Sequence, residues 1–148
     1  MNQKTSPLSP EKYIRTKARS LPIIACYINS DWKEAGMANI IVVRKHNNSN
    51  LTFGIYLVDL FALGTKDALY RFNVSEDVLK DVLNNSFIVV DYLLVHNIIY
   101  GANAFAEEYG FKVCKEFALV QYILEEDIEE IELMEIEFGR DGKPFLII

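Results

Sequence analysis

The sequence predicts an α+β domain, a mostly antiparallel sheet with helices packed on one face. Three observations predict it. Runs rich in β-branched residues gather between Ile23 and Asp59, helical periodicity gathers after Ser75, and the strict strand–helix alternation of a doubly wound parallel sheet is missing. A chain of 148 residues is expected to form a single domain over residues 1–148, and a domain of that size buries roughly 68–70% of its unfolded surface. With 51% hydrophobic and 24% charged residues, the composition is that of a folded chain rather than a disordered one.

Ser9-Pro10-Glu11 opens a short basic helix over about residues 9–19. Serine accepts from a free N–H of the first turn, proline is preset at the first helical position, and glutamate complements the dipole. Leu21-Pro22 breaks this helix, and Ile23 to Asn29 forms a first strand that ends at Asn29-Ser30-Asp31. Asn39 to Lys45 and Leu51 to Asp59 form a hairpin around His46 to Asn50, a segment rich in residues that tolerate left-handed backbone. Leu63-Gly64 interrupts the chain, and Thr65 to Phe72 reads as a short helix. Ser75-Glu76-Asp77 caps a helix over Val78 to Asn84. Val90 to Tyr109 reads as a long helix, apolar around most of its circumference and therefore central, stopped by Gly110. Lys115 to Leu124 is expected to be helical. Ile131 to Phe138 with Pro144 to Ile148 is expected to form a hairpin within an acidic terminal region of about residues 125–148.

Charge is polarised along the chain. The net charge is −6, yet Glu125, Glu126, Asp127, Glu129, Glu130, Glu132, Glu135 and Glu137 form a run without a base. Taking those eight from 21 acidic residues leaves 13 against 15 basic ones. Residues 1–20 carry Lys4, Lys12, Arg15, Lys17 and Arg19 against Glu11 alone. Overall acidity disfavours nucleic acid as a partner. Met1 to Pro7 is polar and lacks the apolar core of a secretory signal. The most apolar stretch, Phe87 to Ala106, is broken by Asp91, His96, Asn97 and Asn103, short of the ~18 residues of a membrane span. Two cysteines without CxxC spacing and two histidines give neither a disulfide framework nor a zinc site, which points to a cytoplasmic protein.

The long helix carries Tyr92, His96, Tyr100, Asn103 and Glu107 on one stripe. At about 1.5 Å per residue, His96 and Glu107 lie roughly 16 Å apart along the axis, too far for one catalytic pair. The plainer reading is a half-solvated helix face. Asp59 at a strand end, followed by Gly64, Lys66 and Asp67, is where a metal-dependent hydrolase places a ligand and a charge stabiliser. The plainer reading there is a capping carboxylate with two solvated charges. The acidic run lacks EF-hand spacing and reads either as a charged edge that resists aggregation or as a surface for a basic partner. A sharper form docks the basic first helix onto it, within one chain or between two copies. Cys114 lies between Lys112 and Lys115 but has no base beside it in sequence. Phosphate loops, HExxH and GxSxG are absent from the sequence.

Four stretches carry a resemblance: Leu21-Pro22 with Cys26 to Trp32, Phe53 to Asp67 (FGIYLVDLFALGTKD), His96 to Phe111 (HNIIYGANAFAEEYGF) and Phe138 to Phe145 (FGRDGKPF). Together they resemble a bacterial domain family to which no activity is assigned, over most of residues 9–148. Its pattern has Cys where this chain has Ala62, and Pro-His where it has Val113-Cys114, so any thiol or metal chemistry at those positions is lost here. Asp59, Lys66, Asp67, His96 and Asn97 match the pattern. The pattern also runs on past Lys143-Pro144-Phe145.

The expected function is a non-enzymatic protein-interaction or regulatory module without a cofactor. Its contact residues are Glu129, Glu130, Glu132 and Glu135, and its partner is a protein basic at the contact or a second copy. The alternative is a metal-dependent hydrolase, with nucleic acid as one substrate class, using a divalent ion at Asp59 and His96 as acid or base. The alternative requires Asp59, His96 and Glu107 or Glu135 to converge on one cleft.

Overall fold

In the computed structural model, which describes residues 8–146, the chain forms one five-stranded antiparallel sheet with helices, an α+β fold. Strand β1 (Ile23–Asn29) pairs with β2 (Met37–Lys45), which pairs with β3 (Leu51–Asp59), which pairs with β4 (Gly64–Val74). A short edge strand β5 (Phe87–Val90) returns beside β1, giving the order β4-β3-β2-β1-β5. The β2–β3 hairpin is continuous from Met37↔Asp59 to Lys45↔Leu51. In its loop the left-handed residue is Ser49, at φ 71°.

Helix α1 (Pro10–Lys17) starts as the sequence dictates, with the Ser9 hydroxyl accepting from Lys12 N–H at 3.2 Å. It runs into a 3₁₀ turn at Ala18–Ser20. A single turn α2 (Trp32–Ala35) lies between β1 and β2, and α3 (Glu76–Val82) between β4 and β5. The central helix α4 (Tyr92–Glu108) ends at Gly110, whose φ of 84° suits a residue without Cβ, and Phe111 N–H donates back to Ala106 at 2.9 Å.

Three expectations are corrected. Thr65 to Phe72 is strand, not helix. Ala68, Tyr70 and Phe72 alternate with exposed Asp67, Leu69 and Arg71, a period of two that a bulge at Lys66 obscures. The helix expected over Lys115 to Leu124 is only α5 (Phe117–Val120) followed by a 3₁₀ turn at Gln121–Ile123. The terminal hairpin expected over 125–148 is not formed. Residues 125–138 include no strand, Arg140 and Lys143 make an isolated bridge, and Ile147 and Ile148 lie outside the described residues, as do Met1 to Pro7.

The main core lies between one sheet face and α1, α4 and α5, with Ile28, Ile40, Val42, Tyr56, Val58, Val95, Ile98 and Ile99 at its centre. On the opposite face Ile41, Val43, Leu51 and Phe53 pack under Leu79 of α3. Each strand of the central hairpin is thus apolar on both faces, which explains the near-continuous run Ile40 to Val43. No helix among the described residues is long and apolar enough to cross a membrane.

Candidate functional site

Asp59 closes β3. Its two oxygens accept from Phe61 N–H at 2.9 Å and Leu63 N–H at 3.3 Å, so the carboxylate builds the turn into β4. Lys66 is the extra residue of a bulge, since Leu57 pairs with Asp67 and Val58 with Thr65. Lys66 and Asp67 are exposed, and Asp67 accepts from Ala68 N–H at 2.9 Å. Among the described residues no three His, Cys, Asp or Glu side chains gather in a way that could hold a metal ion.

The α4 stripe is mixed: His96 is 1% exposed and Asn103 is buried, Tyr92 and Tyr100 are half-buried, and Glu107 is exposed. Asn97, beside the stripe, is also buried. Asn103 Oδ1 accepts from both the N–H and the hydroxyl of Thr65 at 2.8 Å, tying α4 to β4. Tyr92 Oη accepts from Glu125 N–H at 2.7 Å and donates to His96 Nδ1 at 2.6 Å. That assignment leaves His96 Nε2–H to donate to Asp127 Oδ1 at 3.1 Å. Both ring nitrogens are occupied. Burial pushes the Tyr92 phenol above its ordinary value and the Tyr100 phenol up to about 12, so neither is an activated nucleophile at neutral pH.

These side chains hold a strap, residues 124–140, along α4. Asn97 Nδ2 donates to Glu132 C=O at 3.0 Å, and its Oδ1 accepts from Met134 N–H at 3.0 Å. Phe138 packs onto Gly101, where any Cβ would collide with its ring. Gly139 N–H donates to Leu60 C=O at 2.9 Å. At the strap's start, Arg44 is 1% exposed and donates to Ile123 C=O and Leu21 C=O, both at 2.6 Å, and to Glu125 Oε1 at 3.1 Å. At its end, Arg140 lies 4.1 Å from the Phe145 ring centre and 5.2 Å from that of Phe61.

The strap presents its carboxylates to water. Glu129, Glu130, Glu132 and Glu135 are exposed; among the described residues Glu125 is ion-paired with Arg44, and Asp127 accepts a hydrogen bond from His96. The other six acidic side chains of the run have no ion-pair partner there. The expected docking of α1 onto these charges within one chain is not made. Helix α1 packs through Ile14 and the adjoining Ala18, and Arg19 donates to Leu124 C=O at 2.9 Å, while Lys12, Arg15 and Lys17 stay exposed.

Between the strap, α2 and the β3–β4 turn opens a cleft of about 710 Å³. Trp32, Leu60, Phe61, Leu94, Met134 and Ile136 give it an apolar lining. Glu34, Glu135 and Glu137 stand around it with Lys33 and Arg140. Both cations lie against rings, Lys33 Nζ 5.4 Å from the Trp32 ring centre, and neither is ion-paired among the described residues. A second hollow of about 440 Å³ lies beside Tyr100, Asn103, Glu107, Cys114 and Asp127. Burial raises the Cys114 thiol pKa, which disfavours a reactive thiolate.

Sequence reasoning named His96, Asn97 and the four glutamates but missed Trp32, Arg44 and Met134. Arg44 left a signal, a cation ending the apolar run Ile40 to Val43. No protein-family model matches this chain, and neither a curated protein nor a solved structure shows significant similarity to it.

Proposed function

We propose that this chain is a non-enzymatic interaction module that binds a protein partner with a basic contact surface through Glu129, Glu130, Glu132 and Glu135. The observation that carries this reading is a pinned backbone bearing charge unpaired among the described residues. Asn97, Tyr92 and Leu60 fix the strap by its peptide groups, and among the described residues the carboxylates of Glu129, Glu130, Glu132 and Glu135 take no part in holding it. Six like charges on one short segment repel one another within a Debye length of about 8 Å, a cost to the fold that a basic partner removes. The hydrolase reading has no observation of this kind, since both oxygens of Asp59 serve a turn and both nitrogens of His96 are engaged.

The test is fluorescence anisotropy with a labelled peptide rich in Lys and Arg. Wild-type protein is expected to bind it more weakly as salt rises. The variant carrying Glu129→Gln, Glu130→Gln, Glu132→Gln and Glu135→Gln is expected to lose about tenfold or more in affinity with an unchanged circular dichroism spectrum. Equal binding by the two proteins would remove the proposal.

A further inference from the structure

Three features of the strap and its cleft converge on the form of the partner. The first is open backbone. Asn97 takes the C=O of Glu132 and the N–H of Met134, while the peptide groups of Leu133, Glu135 and Glu137 have no protein hydrogen-bond partner among the described residues. Free N–H and C=O groups at alternate residues offer the pairing of a sheet edge. The second is apolar surface next to that backbone. Leu133 is 89% exposed and Met134 41% exposed, and Met134 leads into the cleft floored by Trp32, Leu60 and Leu94. The third is charge. Three carboxylates stand at the cleft against two cations that lie on aromatic rings, and the strap adds Glu129, Glu130 and Glu132 beside them.

From these we infer that the strap is a receptor edge for an extended, basic polypeptide segment whose one large apolar side chain enters the cleft beside Trp32. This rests on the acidic-strap reading above and deepens it by naming the anchor. A folded second copy does not supply the occupant. Its basic helix α1 buries Ile14 in its own core, and Tyr13 stacks on its own Phe72 at 5.1 Å, so the cations of α1 come without a free apolar anchor. The partner is therefore a different protein, or a segment of one, in which Lys or Arg flanks a Leu, Phe or similar residue. Backbone pairing supplies direction, the anchor supplies register, and the flanking cations meet the strap carboxylates.

Trp32 is the chain's one tryptophan, so its emission reports occupancy of the cleft directly. The probes are a short Lys/Arg peptide with a central Leu, its central-Ala counterpart, and a central-Leu peptide with Glu flanks. The expected result has the basic Leu peptide binding about tenfold tighter than the basic Ala peptide, as burial of the extra apolar surface requires, and it alone shifts Trp32 emission. Met134→Arg is expected to erase that difference while leaving weak binding of the Ala peptide. Met134 is partly exposed, and an unchanged thermal transition checks that the variant folds.

Equal binding of the basic Leu and Ala peptides with silent Trp32 would overturn the anchored cleft and leave the acidic strap standing. Equal binding of the Leu peptides with basic and acidic flanks would sink the acidic-strap reading and leave the cleft. Binding by none of the three would overturn both.

Discussion

The β2–β3 hairpin and the C-terminal strap both lie against the main core, yet they are held in opposite ways. The hairpin is secured by its own ladder, nine consecutive residue pairs from Met37↔Asp59 to Lys45↔Leu51, with buried side chains on both faces. The strap has no ladder. It hangs on Tyr92, Asn97, the carbonyl of Leu60 and the Phe138–Gly101 contact, and among the described residues its outer backbone and six carboxylates have no partner. The hairpin spends its hydrogen bonds inward and makes the fold. The strap is fixed on one side only and keeps the other for binding.

Arg44 joins the two regions, so its loss is expected to have the largest effect. Arg44→Ala leaves the carbonyls of Ile123 and Leu21 and the half-exposed Glu125 carboxylate without their donor, for about 1–3 kcal/mol per carbonyl in urea unfolding. Strap and hairpin should fail together, and loss of the strap alone would uncouple them.

Asn97→Ala separates the regions. Removing two strap bonds is expected to cost about 1–3 kcal/mol and to speed hydrogen exchange at the Met134 amide, while amides of Ile40 to Val43 keep their protection. Equal acceleration in both regions would break the contrast drawn here.

Ile41→Val works from the other side. Removing one methylene from a fully buried position on the α3 side of the sheet is expected to cost about 0.5–1.5 kcal/mol in urea unfolding and to lower protection in hairpin and strap alike, because global unfolding opens both. An effect confined to the hairpin would show the strap to be independently stable.

The smallest effect concerns the thiols. Burial pushes Cys26 up to about 12, so it holds its proton where an unfolded cysteine, with a pKa of about 8.5, has lost it. The sign follows: this term costs no stability below the unfolded value, and destabilises the fold as pH rises above it. At pH about 8.5 a thiol reagent is expected to modify half-buried Cys114 first and Cys26 only on unfolding; prior reaction at Cys26 would contradict the packing.

What the sequence made legible was local. Ile23–Asn29, the β2–β3 hairpin and the Ser9 cap were readable because β-branched runs, turn residues and a capping hydroxyl act over a few positions. Strand β4 was misread because the bulge at Lys66 breaks its alternation and Lys66-Asp67 resembles a solvated helix start. Strand β5 carries no signal of its own in the sequence: the helix read over Val90 to Tyr109 takes in its last residue, and Asp91 alone separates the two apolar segments. The strap was read as a hairpin because its anchors lie far away in sequence: Asn97 reaches 35 and 37 residues ahead to Glu132 and Met134. His96 and Asn97 were visible as polar residues on an apolar helix, but their role as anchors depends on which segment covers them. Neither composition nor spacing carries that.

Hydrogen exchange of the full chain, with and without the Lys/Arg peptide bearing a central Leu, locates the binding surface most directly. The account predicts added protection confined to the strap, residues 124–140, and to α2 around Trp32, with the hairpin unchanged. Added protection on α1 or along the β5 edge, with the strap unaffected, would contradict it.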